Sequence, residues 1–142
     1  MKINFLIAAF SFMTVAFAGE PIGIIKNTQG EVFVKRNNAY VTAVKGEELY
    51  TKDILQTSVN SSVGLSFNDG TTVSVGPKSM LRVDDYLYKP YTSEYNLDLS
   101  LQKGTAAFES GKIGKLAPKK VAFRVPQGLI GIRGTKFVVE VE

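Results

Sequence analysis

The chain contains neither histidine nor cysteine among its 142 residues. It therefore lacks the commonest general base near neutral pH, a thiolate nucleophile, and the usual zinc and copper ligands. The residue types that are present still allow an enzyme with a Ser-Lys pair or with paired carboxylates. Asp84 and Asp85, however, would point to opposite faces of a strand, and we predict that this pair ends a strand and begins a turn. We therefore expect no catalytic site, no cofactor and no metal ion.

Two glycine-containing stretches could hold ligands, but neither has the pattern that its ligand needs. Asn68-Asp69-Gly70 lacks the spaced oxygen ligands and the closing glutamate of a calcium loop. Gly128, Gly131 and Gly134 are three residues apart, but a phosphate-binding loop must open a helix, and residues 135–139 resemble a strand. We interpret the first stretch as a hairpin turn and the three glycines as bends or close backbone approaches.

Four tyrosines lie within residues 84–95: Tyr86, Tyr88, Tyr91 and Tyr95. Tyrosine joins an apolar ring to a polar hydroxyl, which suits a protein-binding surface. The alternative is that Tyr86 and Tyr88 pack on one face of a strand while the other two cover a loop. We predict that the four form a candidate interaction surface.

Positive charge is concentrated in residues 103–136, which carry eight basic residues against one acidic residue, Glu109. Residues 110–120 are rich in Gly, Lys and Pro, which predicts a mobile loop between strands. The charge excess suits an anionic ligand or an acidic partner. The alternative is that the lysines cover strand edges and discourage aggregation. The candidate basic surface consists of Lys112, Lys115, Lys119, Lys120 and Arg133.

These residues must be positioned by short strands. Val63, Leu65 and Phe67 alternate with small residues, and Val73 and Val75 resume the alternation after the Asn-Asp-Gly turn. We expect these five side chains to be buried, with Phe137 and Val139 nearby. Turn signals recur about every eight residues, a spacing typical of an all-β sandwich, barrel or solenoid. The strand candidates are residues 23–28, 31–36, 39–42, 54–57, 62–67, 71–75, 79–83, 95–102, 105–109, 121–125, 129–132 and 136–141.

The first residues have the pattern of a targeting segment. Lys2 precedes the mostly apolar residues 3–17, and Ala16-Phe17-Ala18 fits a cleavage site. We predict a signal peptide at residues 1–18, cleaved after Ala18, and one domain at residues 19–142; an uncleaved anchor and a core helix are the alternatives. We expect the cleaved chain to reside in the periplasm. We also expect no transmembrane segment after cleavage and no nucleic-acid partner. Without cysteine, apolar packing must hold an exported fold together.

Eight stretches carry a family resemblance in chain order: Gly30-Glu31-Val32 and residues 45–49, 53–57, 63–71, 77–81, 99–104, 125–126 and 132–137. In these stretches the chain resembles the FecR domain family of bacterial envelope proteins. The resemblance implies an exported, non-catalytic, all-β domain used in signalling and binding. It also implies a compact roll or twisted β-solenoid of short strands, with a two-sheet β-sandwich as the alternative.

The chain departs from the family's name-giving members in two respects. Those members resemble transmembrane regulators whose cytoplasmic segment acts on a sigma factor, and we expect no such segment here. Lys52 also stands where the family usually has glycine. We therefore expect a protein-interaction or signalling module that docks on another envelope protein. The alternative is a binding module for an anionic envelope component, either polysaccharide or lipid headgroup.

Overall fold

The computed structural model describes residues 19–131 and 136–142. Of these residues, 61% lie in strands and 7% in helices, so the predicted all-β class is confirmed. The predicted signal peptide, Arg133 and Gly134 lie outside the described residues. Within the described ranges, no helix has both the length and the apolar character needed to cross a membrane.

Twelve strands and two short helical turns make up the described fold. The strands are β1 (Gly23–Gln29), β2 (Val32–Arg36), β3 (Ala39–Thr42), β4 (Glu48–Leu49), β5 (Ile54–Thr57), β6 (Ser62–Phe67), β7 (Thr72–Val75), β8 (Met80–Lys89), β9 (Glu94–Glu109), β10 (Val121–Val125), β11 (Gly128–Gly131) and β12 (Lys136–Val141). The helical turns are α1 (Lys112–Leu116) and a 3-10 turn at Pro118–Lys120.

The strands form one sheet that curls into an open half-barrel, in agreement with the predicted roll. Its two halves share the long strand β9. The first half has the order β4-β1-β6-β7-β9-β12, and the second has the order β3-β2-β5-β8-β9-β10-β11. Strand β10 runs parallel to β9, whereas the other neighbouring strands are antiparallel.

Strand β9 bends at Gly104 without breaking its pairing. The chain has φ +92° there, and a Cβ atom would lie against the Oγ of Ser79 and 2.5 Å from its Cα. Ser79 Oγ also accepts a hydrogen bond from the Thr105 N–H at 3.0 Å. The prediction of separate strands with a turn before residue 105 was therefore wrong. A glycine with positive φ lets one strand pass from one half-sheet to the other.

The prediction that Asp84 and Asp85 end a strand was also wrong, because β8 continues through both. A shift in the β8–β9 register between Val83 and Asp85 accommodates the change. The Asp84 carboxylate pairs with Arg82 and accepts a hydrogen bond from the Ser100 hydroxyl. Arg82 of β8 and Ser100 of β9 therefore provide the hydrogen bonds that allow the Asp84 carboxylate to lie within a strand.

The core prediction is confirmed. The five predicted core side chains from the central meander are each at most 3% exposed: Val63, Leu65, Phe67, Val73 and Val75. Phe137 and Val139 of β12 are half-buried and pack against the same core. Phe137 stacks on Phe108 with a centroid separation of 5.0 Å. The closing strand therefore covers one end of the core.

Residues 110–120 are not the loop that composition predicts. They contain α1 and the 3-10 turn, and Ile113 of α1 is fully buried. The Ala117 N–H donates to the carbonyl of Ile113 at 2.8 Å and closes the helical turn. The buried side chain of Ile113 anchors this segment. A helix of five residues with one buried side chain is too short to show a helical period in the sequence.

We predict that Gly104→Ala lowers the free energy of unfolding more than Gly46→Ala. Both glycines have positive φ (+92° and +89°), but no atom lies within 4 Å of a Cβ at Gly46. The control should lose about 1 kcal/mol from backbone strain. Gly104→Ala adds the clash with Ser79 and should lose about 2–4 kcal/mol. Urea unfolding followed by circular dichroism measures both, and equal losses would show that the bend does not depend on this close approach.

Candidate functional site

A buried carboxylate, Asp69, lies at the turn between β6 and β7 and is 2% exposed. Its Oδ1 accepts hydrogen bonds from the Tyr86 hydroxyl at 2.8 Å and the Thr71 N–H at 3.3 Å. Its Oδ2 accepts from the Thr71 hydroxyl at 2.7 Å and the Ile113 N–H at 3.1 Å. Four donors therefore surround the carboxylate, and such charge-assisted hydrogen bonds offset the cost of burying it.

Backbone hydrogen bonds extend this arrangement. The Asp69 N–H donates to the Tyr86 hydroxyl at 2.9 Å, and the Asp69 carbonyl accepts from the Lys112 N–H at 2.9 Å. The Gly111 N–H donates to the Thr71 hydroxyl oxygen at 3.0 Å. We refer to Asp69, Thr71, Tyr86 and the backbone of residues 111–113 as the Asp69 cluster. The cluster joins the β6–β7 turn, strand β8 and the start of α1.

Tyr86 belongs to the core and not to the predicted interaction surface. It is 8% exposed, and its ring stacks on Phe67 with a centroid separation of 5.3 Å. Burial raises the pKa of the Tyr86 hydroxyl above its usual value, and the nearby Asp69 charge and hydrogen bond raise it further. The signal in the sequence was Asp69 two residues before Thr71, a local turn pattern that does not identify Tyr86 as a partner.

The other three tyrosines lie in one hairpin. Tyr88 and Tyr95 are cross-strand partners on β8 and β9, with ring centroids 6.0 Å apart. Both pack partly against the core, whereas Tyr91 at the tip is fully exposed. In the described part of the chain, no third strand pairs with the hairpin between Asp85 and Asn96. We call residues 85–96 the tyrosine arm.

The four predicted lysines are exposed at the start of the connection to β10. Lys112 and Lys115 belong to α1, and Lys119 and Lys120 belong to the 3-10 turn. The fifth predicted residue, Arg133, lies outside the described residues. The Tyr86 hydroxyl and the Ile113 N–H bind the two oxygens of one carboxylate. The base of the tyrosine arm and the start of the lysine segment are therefore adjacent.

Sequence reasoning missed a second buried carboxylate, Asp53, which is 1% exposed. The Arg36 guanidinium donates to its two oxygens from Nε at 2.8 Å and from Nη2 at 2.7 Å. The Tyr50 N–H also donates to Oδ2 at 2.9 Å. The hydrogen bonds that the guanidinium donates to Asp53 raise the pKa of Arg36, and the guanidinium carbon lies 4.7 Å from the Tyr50 ring centroid. This bidentate pair fixes β2 against the turn before β5.

The outer face of the first half-sheet carries a shallow groove of about 350 Å³. Small side chains line much of it, including Thr72, Ser74 and Ala107, and the exposed pair Lys136–Glu109 spans 3.8 Å at its rim. Residues 19–131 and 136–142 contain no group of three or more carboxylates that could hold a metal ion. The groove contains no set of groups arranged for acid–base chemistry.

The comparisons with known proteins identify one family. The family model described as FecR protein matches residues 53–142. The matched region includes the Asp69 cluster, the tyrosine arm and the four lysines of the candidate basic surface. No curated protein and no solved structure matches the chain.

We predict that Tyr86→Phe makes stability less sensitive to alkaline pH. The raised pKa keeps Tyr86 protonated in the folded protein after the unfolded phenol begins to ionise near pH 10. The unfolded state then binds fewer protons, so stability falls with rising pH by about 1.4 kcal/mol per unit. Phenylalanine at position 86 removes this contribution.

Urea unfolding between about pH 8 and pH 11 measures the slope. Tyr91→Phe is the matched control because Tyr91 is fully exposed, and it should keep the wild-type slope. A Tyr86→Phe slope equal to that of the wild type would contradict the buried, protonated phenol.

Proposed function

Because this chain belongs to the FecR protein family, we propose that it is an exported, non-catalytic module that docks on another protein of the bacterial cell envelope. The family is associated with signalling, and we propose that docking reports a signal between envelope proteins. The proposal includes cleavage of residues 1–18 after Ala18 and residence in the periplasm. The Ala16-Phe17-Ala18 pattern after an apolar run supports that processing.

The observation that carries this proposal is the tyrosine arm. Tyr91 is fully exposed at a hairpin tip, and the Tyr88–Tyr95 pair lies behind it. Tyrosine at a protein interface buries a large ring while its hydroxyl keeps a hydrogen-bond partner. The Asp69 cluster holds the base of the arm through Tyr86, so little conformational freedom is lost at the base on docking. We therefore propose that the tyrosine arm presents its aromatic side chains to the partner from a base that is already ordered.

A second candidate function is binding of an anionic envelope component, either polysaccharide or lipid headgroup. The observation that favours it is the exposure of Lys112, Lys115, Lys119 and Lys120. Among the described residues, none of the four forms an ion pair with a carboxylate within 4.0 Å. Unpaired lysines grouped in this way attract polyanions in a salt-dependent manner.

We predict that Tyr91→Ala abolishes docking on the envelope partner without changing stability. The protein, starting at Gly19, is recovered from the periplasmic fraction and used for cross-linking and pull-down from envelope extract at about 0.1 M and 1 M salt. Loss of an aromatic anchor should lower recovery of the captured protein at least about tenfold. Tyr88→Ala should have the same direction of effect. Contacts through aromatic rings should survive the higher salt.

Tyr40→Ala is the matched control, because Tyr40 is 60% exposed on β3, an end strand that β2 and β5 separate from β8. It should leave recovery unchanged. Equal recovery by the wild type, Tyr91→Ala and Tyr88→Ala would contradict docking through the tyrosine arm.

A further inference from the structure

We propose that α1 and the 3-10 turn after it dock on the surface of an anionic phospholipid bilayer, with Leu116 entering the headgroup layer. We call the side chains involved the basic face: Lys112, Lys115, Leu116, Lys119 and Lys120. This inference rests on the second candidate function, and it narrows the anionic component to a lipid surface.

The spacing of side chains on α1 separates an inward from an outward side. Lys112, Lys115 and Leu116 stand at positions i, i+3 and i+4, which share one face of a helix. Ile113 points away from that face and is fully buried. Leu116 is 60% exposed, so the outward side combines two lysines with a leucine. Lys119 and Lys120 extend the positive charge beyond the helix.

The charge of the segment complements an anionic membrane. Residues 110–120 contain four lysines and no acidic residue. The nearest acidic residue before the segment, Glu109, is paired with Lys136 at 3.8 Å. Each lysine near an anionic bilayer surface strengthens binding by about fivefold at physiological salt. Four lysines together give a strong preference for anionic over neutral lipid.

Leu116 distinguishes a bilayer from a soluble polyanion. A basic surface that carries an exposed apolar side chain is typical of helices that lie in the membrane interface. A polysaccharide would pair with the lysines but would gain nothing from an exposed leucine. The position of Leu116 between Lys115 and Lys119 therefore favours lipid as the source of the negative charge.

The start of the basic face is anchored to the protein by backbone hydrogen bonds. The N–H groups of Gly111, Lys112 and Ile113 donate to Thr71 and Asp69 at 3.0, 2.9 and 3.1 Å. The segment therefore does not need to fold on binding, in contrast to a free amphipathic peptide. The same Asp69 carboxylate holds Tyr86 at the base of the tyrosine arm. A docked basic face would fix the orientation of the arm relative to the membrane.

The test is co-sedimentation of the purified protein with vesicles. Vesicles of phosphatidylcholine alone are compared with vesicles that contain about one-third phosphatidylglycerol, at about 0.1 M salt. We expect binding to the anionic vesicles, at least about tenfold weaker binding to the neutral ones, and release at about 1 M salt. Dextran sulfate serves as a soluble polyanion without lipid.

Variants assign the contact to the basic face. The test variant changes Lys112, Lys115, Lys119 and Lys120 to Gln, and the matched control changes the exposed Lys26, Lys45, Lys52 and Lys78 to Gln. Both remove four charges, but only the test variant should lose vesicle binding, by about 600-fold. Leu116→Ser should weaken vesicle binding at least about threefold and leave dextran sulfate binding unchanged. Circular dichroism confirms that each variant is folded.

The outcomes separate this inference from the function on which it rests. Binding to dextran sulfate but not to anionic vesicles would overturn the lipid inference and leave the second candidate function standing. Binding to neither would overturn both. Equal losses in the two quadruple variants, or unchanged vesicle binding by Leu116→Ser, would also overturn docking by the basic face.

Discussion

The interaction on which the rest of the structure depends is the hydrogen-bonded burial of the Asp69 carboxylate. A buried carboxylate is costly unless polar partners surround it, and Asp69 has donors on Thr71, Tyr86 and Ile113. Those donors belong to the β6–β7 turn, to β8 and to α1. One residue therefore positions both the tyrosine arm and the basic face, the two surfaces to which the proposals assign binding.

The long strand β9 supplies the frame for that cluster. Its first part pairs with β8 and carries the tyrosine arm, and its last part pairs with β7 next to the Asp69 turn. The bend at Gly104 brings these two regions into one curled sheet without an intervening loop. The chain then leaves β9 at Glu109 and enters α1 after two intervening residues, at Lys112. The arm, the carboxylate and the basic face are thus neighbours because the longest strand connects them.

The sequence predicted the parts of the fold that depend on near neighbours. The alternation of Val63, Leu65 and Phe67 identifies a half-buried strand because its period of two is local. The burial of Tyr86 could not be predicted, because its partner Asp69 is 17 residues away and the same tyrosine pattern fits a surface. Likewise, α1 depends on a contact between Ile113 and Asp69 across 44 residues. The exposure of the four lysines was predicted because charged side chains remain in water unless they are paired.

The measurement that tests this account most directly is amide hydrogen exchange at Ile113 in Asp69→Asn. The amide side chain cannot accept all four hydrogen bonds, so Ile113 and the base of the tyrosine arm should lose protection together, by about ten- to a hundredfold. Asp53→Asn is the control, because it disrupts the other buried carboxylate near Arg36 and should leave Ile113 protected. Unchanged exchange at Ile113 in Asp69→Asn, or equal loss in both variants, would contradict the central role of Asp69.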